Sequence, residues 1–456
     1  MIRRFGPMLL ILGVLFGQCA WAQTDTGTTD TGAPVQPGPQ PAYIYPDTTP
    51  SLDFLSQSIE NSSITLGIGA GFSYDSNAYS STGSAQNFWL FHIGPSIKIQ
   101  QFFPKFSWNL SYAPGYQVYT NVSGPSNPNS NLFSQHASGG FLWQLSPHWQ
   151  LIGSDNFTYS ANPFDSFLAT PGTPTMNNPN PVSYYPLTQY TLNTGLLTLT
   201  DRLTKADTLS FSGSENLRRT STYNLLTAYP FYNLVSYGGR ANYAHQLSPR
   251  LTLGAGYDYN SLDFGHGQQR SGVQTISMTA DYLIRPNMTI SGWIGPEYTS
   301  TKTIVGIPIL GQTVYLTTYG SLWSTSLGAN FGWQSLRNSV QAGFVRQVSD
   351  GGGIIGTSQA NSVNANYRRK ITAKMDVLLG ARYLHDVSTT VSSRQFNNFY
   401  INTGLTYKFA KSLTATGQYT YVHYNQSNTI LLGAPNYNSN IVGVSVNYTW
   451  NHPLGR

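Results

Sequence analysis

From about residue 62 to Trp450 the chain runs in segments of about 10 to 14 residues in which apolar and polar side chains alternate. That is the period of a β-strand with two unlike faces. The final segment is among the clearest. Val442, Val444, Val446, Tyr448 and Trp450 share one face, while Gly443, Ser445, Asn447 and Thr449 share the other. Before it, Leu413, Ala415, Gly417, Tyr419 and Tyr421 oppose Thr414, Thr416, Gln418 and Thr420. Near the start, Trp89, Phe91, Ile93, Ile97 and Ile99 oppose His92, Ser96 and Lys98, and Phe106, Trp108, Leu110 and Tyr112 oppose Ser107, Asn109 and Ser111.

Two kinds of connection alternate between these segments. One is short and built from Pro, Lys, Arg or Ser, as at 103–105, 146–148, 203–205, 248–250, 285–287, 335–337, 370–372 and 410–412. The other is longer and rich in Gly, Ser, Asn and Pro; the longest, about 161–186, carries six prolines from Pro163 to Pro186. Short turns on one side and long loops on the other predict an all-β, antiparallel transmembrane barrel with periplasmic turns. Eight short turns join eight strand pairs, and one further strand at each end makes about 18, with 16 to 20 compatible. The least regular segments are 187–201 and 339–348.

A soluble sandwich has the same period, so composition decides between the two. Only 9% of residues are charged, against about 25% in an ordinary soluble domain. The polar face is Ser, Thr, Asn and Gln rather than Lys and Glu. Aromatics reach 14%, with 31 Tyr, and gather towards strand ends, as in interfacial girdles. In lipid every backbone N–H and C=O needs a partner, so such strands must close into a barrel. Apolar runs long enough for helical spans are missing downstream of the N-terminus.

The first 22 residues read as a cleaved signal peptide: Arg3 and Arg4, an apolar stretch from Leu9 to Phe16, and Ala20-Trp21-Ala22 before Gln23. Gln18 stands before Cys19 where lipid-attachment signals carry Gly, Ala or Ser. Residues 23–60 read as a Pro-, Thr- and Gly-rich periplasmic linker. Residues 61–450 form the barrel, and 451–456 a short tail after Trp450. Cleavage leaves a mature chain without cysteine, which excludes disulfides and thiol chemistry. The formal charge of +6 drops by the two arginines to +4, with no basic run, so nucleic acid is not an expected partner.

The polar register is expected to face the lumen. Its candidate pore-lining residues are Lys98, Asn109, Gln117, Arg218, Arg240, Asp258, Asp281, Trp293, Arg368 and Arg382. Glu297, Asp376, Lys408 and neutral residues such as Asn156 and Asn193 extend the same face, and Tyr119 and Tyr400 add aromatics. Mixed charge signs argue against an anion pore, which needs a ring of Arg and Lys. Neutral hydrogen-bonding groups favour polar solutes, saccharides or exopolysaccharide first. The alternative is a non-conducting barrel plugged by its own loops. No cofactor or metal motif is present. One catalytic echo, His136-Ala137-Ser138-Gly139-Gly140, matches the His-x-Ser-x-Gly core of outer-membrane lipases. However, its His and Ser belong to the lumenal register and the usual companion Asn is missing, so no enzyme is expected. Outer-membrane lipid and the barrel-insertion machinery are the expected partners. Small outward residues such as Gly239 and Ala241 would permit a homo-oligomer.

The segment Gly69-Ala70-Gly71-Phe72-Ser73-Tyr74-Asp75-Ser76-Asn77-Ala78-Tyr79 is a strand ending in Tyr-Asp-x-Asn that opens into a loop. It resembles the outer-membrane porins of the beta-barrel porin 2 group, which includes barrels associated with exopolysaccharide operons. The resemblance implies a porin-like barrel and a role in polysaccharide export. Read from the residues alone, Asp75 and Asn77 cap the strand through an Asx-turn.

Overall fold

The computed structural model describes residues 62–77, 87–120, 131–160, 190–220, 233–265, 267–309, 312–350, 356–389, 395–427 and 436–454. The expected signal peptide and linker lie outside them, as does the residue pair 455–456 at the chain end. The described residues form one sheet of 18 strands, each antiparallel to its sequence neighbours. They are β1 (Ser63–Asp75), β2 (Phe88–Phe102), β3 (Phe106–Thr120), β4 (Asn131–Gln144), β5 (Trp149–Ser160), β6 (Tyr190–Arg202), β7 (Asp207–Thr220), β8 (Leu234–Ser248) and β9 (Leu251–Phe264). There follow β10 (Gln269–Arg285), β11 (Met288–Ile309), β12 (Gln312–Gln334), β13 (Asn338–Ser349), β14 (Ser358–Thr372), β15 (Met375–Ser388), β16 (Gln395–Lys408), β17 (Leu413–Ser427) and β18 (Tyr437–Pro453).

Pairing of β1 with β18 closes the sheet, in register from Ser63 opposite Pro453 to Asp75 opposite Ile441. Closure removes both sheet edges, which the hydrocarbon would otherwise leave without hydrogen-bond partners. The last strand runs three residues past Trp450, because Asn451, His452 and Pro453 still pair with Thr65, Ile64 and Ser63. The barrel thus includes half of the expected tail.

The outer wall is apolar. Ile276, Met278, Ile294, Leu197 and Val444 are each at least half exposed, and their inward neighbours are mostly Ser, Thr or Gly, with Trp293 and Leu196 as exceptions. This outward band makes the protein an outer-membrane barrel. Aromatic rings mark both its borders. On the short-turn side Phe106 packs against Trp143 and Tyr407 against Phe409, with centroids 6.2 and 4.9 Å apart. On the long-loop side Phe72 stacks on Trp89 at 4.7 Å, and Tyr298 packs tilted against Trp323 at 4.9 Å. Tyr419 and Tyr383 there donate to the side chains of Asn440 and Asn397, at 2.8 and 2.9 Å. A ring in hydrocarbon with its hydroxyl in the headgroup layer suits tyrosine at an interface.

The Tyr-Asp-x-Asn segment caps β1. The Asp75 carboxylate accepts the Asn77 N–H at 2.8 Å, an Asx-turn, and also the Ser439 hydroxyl from β18. One sequence assignment needs correction. Asn193 faces outwards, beside Phe157 in the ladder, and donates to Asp155 at 3.0 Å. Leu192, Leu196, Leu197 and Leu199 place leucine on both faces of β6, so alternation alone could not orient that strand.

The two faces predict opposite tolerance to charge. Val444→Arg, in the outward band of β18, should cost up to about 2–4 kcal/mol of stability in lipid. Thr416→Arg, on the inward face of adjoining β17, should cost less than about 1 kcal/mol. Urea titration of barrels folded in phospholipid vesicles measures both; equal losses would reverse the assignment of faces.

Candidate functional site

The interior is where chemistry-bearing residues gather. Alternation and ladder register place the ten candidates on its inward side: Lys98 and Asn109 on β2 and β3, Gln117 on β3, Arg218 on β7, Arg240 and Asp258 on β8 and β9, Asp281 and Trp293 on β10 and β11, and Arg368 and Arg382 on β14 and β15. The structure brings only some of them together. Arg240 lies directly across the ladder from Asp258, with Nε 3.4 Å from Oδ1. Arg368 reaches diagonally to Asp376 at 3.1 Å. Arg218 meets Asp350 at 3.1 Å. Lys98, Asn109 and Asp281 stand on other sectors of the wall and are half-buried. Trp293 is buried; its indole N–H donates to Ser326 at 3.4 Å, and the ring covers Gly328, where any β-carbon would collide with it. Cations paired with acids leave no single-sign ring.

The Arg218–Asp350 pair reveals a feature that alternation did not predict. Arg218 belongs to β7, whereas Asp350 follows the end of β13, six strands away round the wall. Contact requires the end of the β13–β14 hairpin to part from β12 and lean across the interior, while β14 stays paired with β15 as far as Ser358 opposite Ser388. Further contacts trace its path. The Val348 N–H donates to the Glu297 carboxylate of β11 at 3.0 Å. Thr357 Oγ1 is 2.6 Å from Ser271 Oγ and 3.2 Å from Gln269 Nε2, both on β10. Gly356, with φ 71°, lies against the Gln269 carboxamide; the left-handed backbone and the close approach both require glycine.

The hairpin end is packed on both sides. Val348 joins Leu234, Leu262, Phe264 and Val273, from the inward faces of β8, β9 and β10. Ala360 joins Leu384, Phe396, Tyr400, Val422, Tyr424 and Ile441, from β15 to β18. Val345, Ala360, Phe396 and Val422 are fully buried, so the interior at this level on the long-loop side is a core rather than open water. Glu297 holds the junction. Besides the Val348 N–H its carboxylate accepts the Ser324 hydroxyl at 2.8 Å and the Thr275 hydroxyl at 3.4 Å.

The sequence did carry a signal for this. Along Phe344, Val345, Arg346, Gln347 and Val348 both parities hold apolar residues, the pattern of a strand covered on both faces. Asp350, in a Gly-rich connection, carried no periodic cue.

Inward bending alters the wall. The β12–β13 ladder stops at Leu327 opposite Arg346, although β12 continues to Gln312 in pairing with β11. Among the described residues no strand pairs with that edge of β12 beyond Leu327. Tyr315, Tyr319 and Trp323 there are more than two-thirds exposed.

The catalytic echo resolves into wall packing. Ser138 Oγ is 2.7 Å from Ser111 Oγ on the neighbouring strand, and His136 is buried two residues away on the same inward face. A cavity of about 40 Å³ lies beside His136, room enough for one or two waters. It lies where Pro95 and Pro114 interrupt the β2–β3 ladder between Ile93 and Ile97; proline has no N–H to give. Among the described residues no three His, Cys, Asp or Glu side chains converge as a metal site.

Comparison with known proteins gives fold-level likeness only. No family model matches this sequence, and no curated protein matches it. Similar solved structures include Acinetobacter baumannii OccAB4, with TM-score 0.42 and 11% identity over 86% of this chain and 99% of that one. The outer membrane protein opdK from Pseudomonas aeruginosa has TM-score 0.40 and 11% identity over 85% and 99% of the two chains. OccK2 (OpdF) of the same organism, solved in complex with glucuronate, has TM-score 0.42 and 10% identity over 86% and 99%.

A buried ion pair that tethers the hairpin end should be costly to halve and cheaper to remove whole. Arg218→Gln takes from Asp350 its buried ion-pair partner and should cost up to about 3–5 kcal/mol of local stability. Arg218→Gln with Asp350→Asn should recover most of it. Protease cleavage between β13 and β14 in the folded barrel reads the effect; independent, additive losses would remove the tether.

Proposed function

We propose that the barrel is an outer-membrane channel for small polar solutes, saccharides foremost, and that the in-folded end of β13–β14 narrows and gates its outer half. The observation that carries this is the mode of attachment. Released from β12 beyond Leu327 and hinged on the β14–β15 ladder, the hairpin end is held across the interior by a few discrete polar contacts, Arg218–Asp350 at 3.1 Å and Ser271–Thr357 at 2.6 Å, beside one apolar cluster on each side. Such an element can shift as a unit between two arrangements. The rest of the inward face supports the solute class. Asn109, Asn366 and Thr416 offer amide and hydroxyl partners, and the paired charges leave little net field to select ions. Sugar hydroxyls exchange well with such groups.

The engineered disulfide Ser271→Cys with Thr357→Cys tests the gate, because the mature sequence contributes no other cysteine. In planar bilayers the oxidised barrel should conduct in small steps or not at all, and reduction should restore steps that added oligosaccharides transiently block. Val348→Asp, which places a charge in the apolar contact, should raise open probability about tenfold or more. Identical conductance in oxidised and reduced protein would defeat the gate. Silence in every form, Val348→Asp included, would establish instead a non-conducting barrel.

A further inference from the structure

The outer wall carries a built depression on the long-loop side, across β9 to β12. Ladder register arranges its side chains in three rows. The top row, nearest the loops, is Asp263, Arg270, Lys302 and Tyr319, each directly opposite the next. The middle row is Ser261, Gly272, Ser300 and Ser321. The bottom row is Tyr259, Gln274, Tyr298 and Trp323. A small-residue floor therefore lies between a cationic lintel and an aromatic sill. The hollow has a volume of about 580 Å³. Gly272 contributes no side chain to the floor; a β-carbon there would come into contact with Ser300 Oγ at 3.4 Å and the Tyr259 hydroxyl at 3.6 Å and take up part of the hollow.

The lintel poses an electrostatic problem. Arg270 and Lys302 are direct cross-strand neighbours on one face, and like charges so placed repel. Asp263 offsets only one of them, with Nε of Arg270 2.9 Å from Oδ2. Lys302 has its ammonium 6.0 Å from the Tyr319 ring centre, a contact that leaves its charge uncompensated. An anion between the two cations relieves the repulsion, and the serine hydroxyls below can donate to it.

Position selects the kind of anion. The sill is part of the aromatic border of the apolar band, and directly below it Tyr257, Ile276, Met278 and Ile294 face hydrocarbon. A ligand seated here has its charged end at headgroup height and an apolar wall beneath for its chains. We propose that this depression binds the phosphorylated headgroup of an outer-leaflet lipid, with Arg270 and Lys302 on the phosphate, Ser261, Ser300 and Ser321 on the sugar or glycerol hydroxyls, and Tyr298 and Trp323 at the start of the acyl chains. The site faces away from the lumen and owes nothing to the gate.

The test uses the folded barrel in zwitterionic detergent, with bisphosphorylated lipid A as probe and retention read by native mass spectrometry. The parent barrel should retain one lipid. Arg270→Gln with Lys302→Gln should weaken retention about thirtyfold, from two basic side chains at a headgroup. Asp263→Asn, which frees Arg270, should tighten it. Ser300→Trp keeps both cations, fills the floor and should abolish retention; it serves if the charge variant fails to fold, which heat-shifted gel migration reports. Lipid dephosphorylated beforehand should bind as weakly as the charge variant does. Undiminished retention by the charge variant or by Ser300→Trp overturns the proposal. Complete displacement of lipid by millimolar inorganic phosphate does so too, since it assigns the cations to a free anion.

Discussion

Everything in this molecule follows from the need to pair backbone hydrogen bonds where water is absent. An unpaired N–H or C=O in hydrocarbon costs several kcal/mol, so the sheet must return to its own first strand. The β1–β18 ladder meets that need with thirteen paired positions, Ser63 to Asp75. Once closed, the wall has an inside and an outside, and the two-residue period of each strand distributes side chains between them. The lumen is lined with Ser, Thr and Asn because the lipid claims Val, Leu, Ile and Tyr.

The same constraint explains where the wall can be broken. β13 parts from β12 only on the long-loop side, while β14 keeps its ladder with β15, and what β13 gives up it replaces inside the barrel. The Glu297 carboxylate takes a backbone N–H of Val348, and apolar contacts cover both hairpin faces. A strand that forsakes its neighbour must find equivalent partners for every polar group it buries. Arg218 of β7, Gln269 and Ser271 of β10 and Glu297 of β11 are those partners, drawn from three separate strands.

Much of the barrel was legible in the sequence because its rules are local. Alternation located the strands, Pro-, Lys- and Ser-rich turns counted them, and the face opposite Val442 and Val444 identified the inward register. The hairpin end was not legible, since nothing local states that Asp350 will meet Arg218 more than 130 positions earlier. Asn193 was misassigned because β6 carries leucine on both faces and alternation has no vote there. The rows above Tyr298 were equally hidden. Asp263, Arg270, Lys302 and Tyr319 become neighbours only once four strands lie in register, and in the sequence they are four unremarkable polar residues.

The early end of the β12–β13 ladder has a further consequence. An unpaired strand edge is forbidden in hydrocarbon and tolerated in water, so the point at which pairing stops records where one solvent gives way to the other. From the turn after Gln334 up to Leu327, eight residues of β12 are paired with β13. At about 3.3 Å per residue and a tilt of about 40° that ladder rises about 20 Å, somewhat less than a typical apolar band of about 25 Å. The fold thus carries its own gauge of bilayer thickness: in a thicker membrane the bare edge of β12 would be submerged, and the barrel would have to thin the lipid around that sector or tilt to lift it clear.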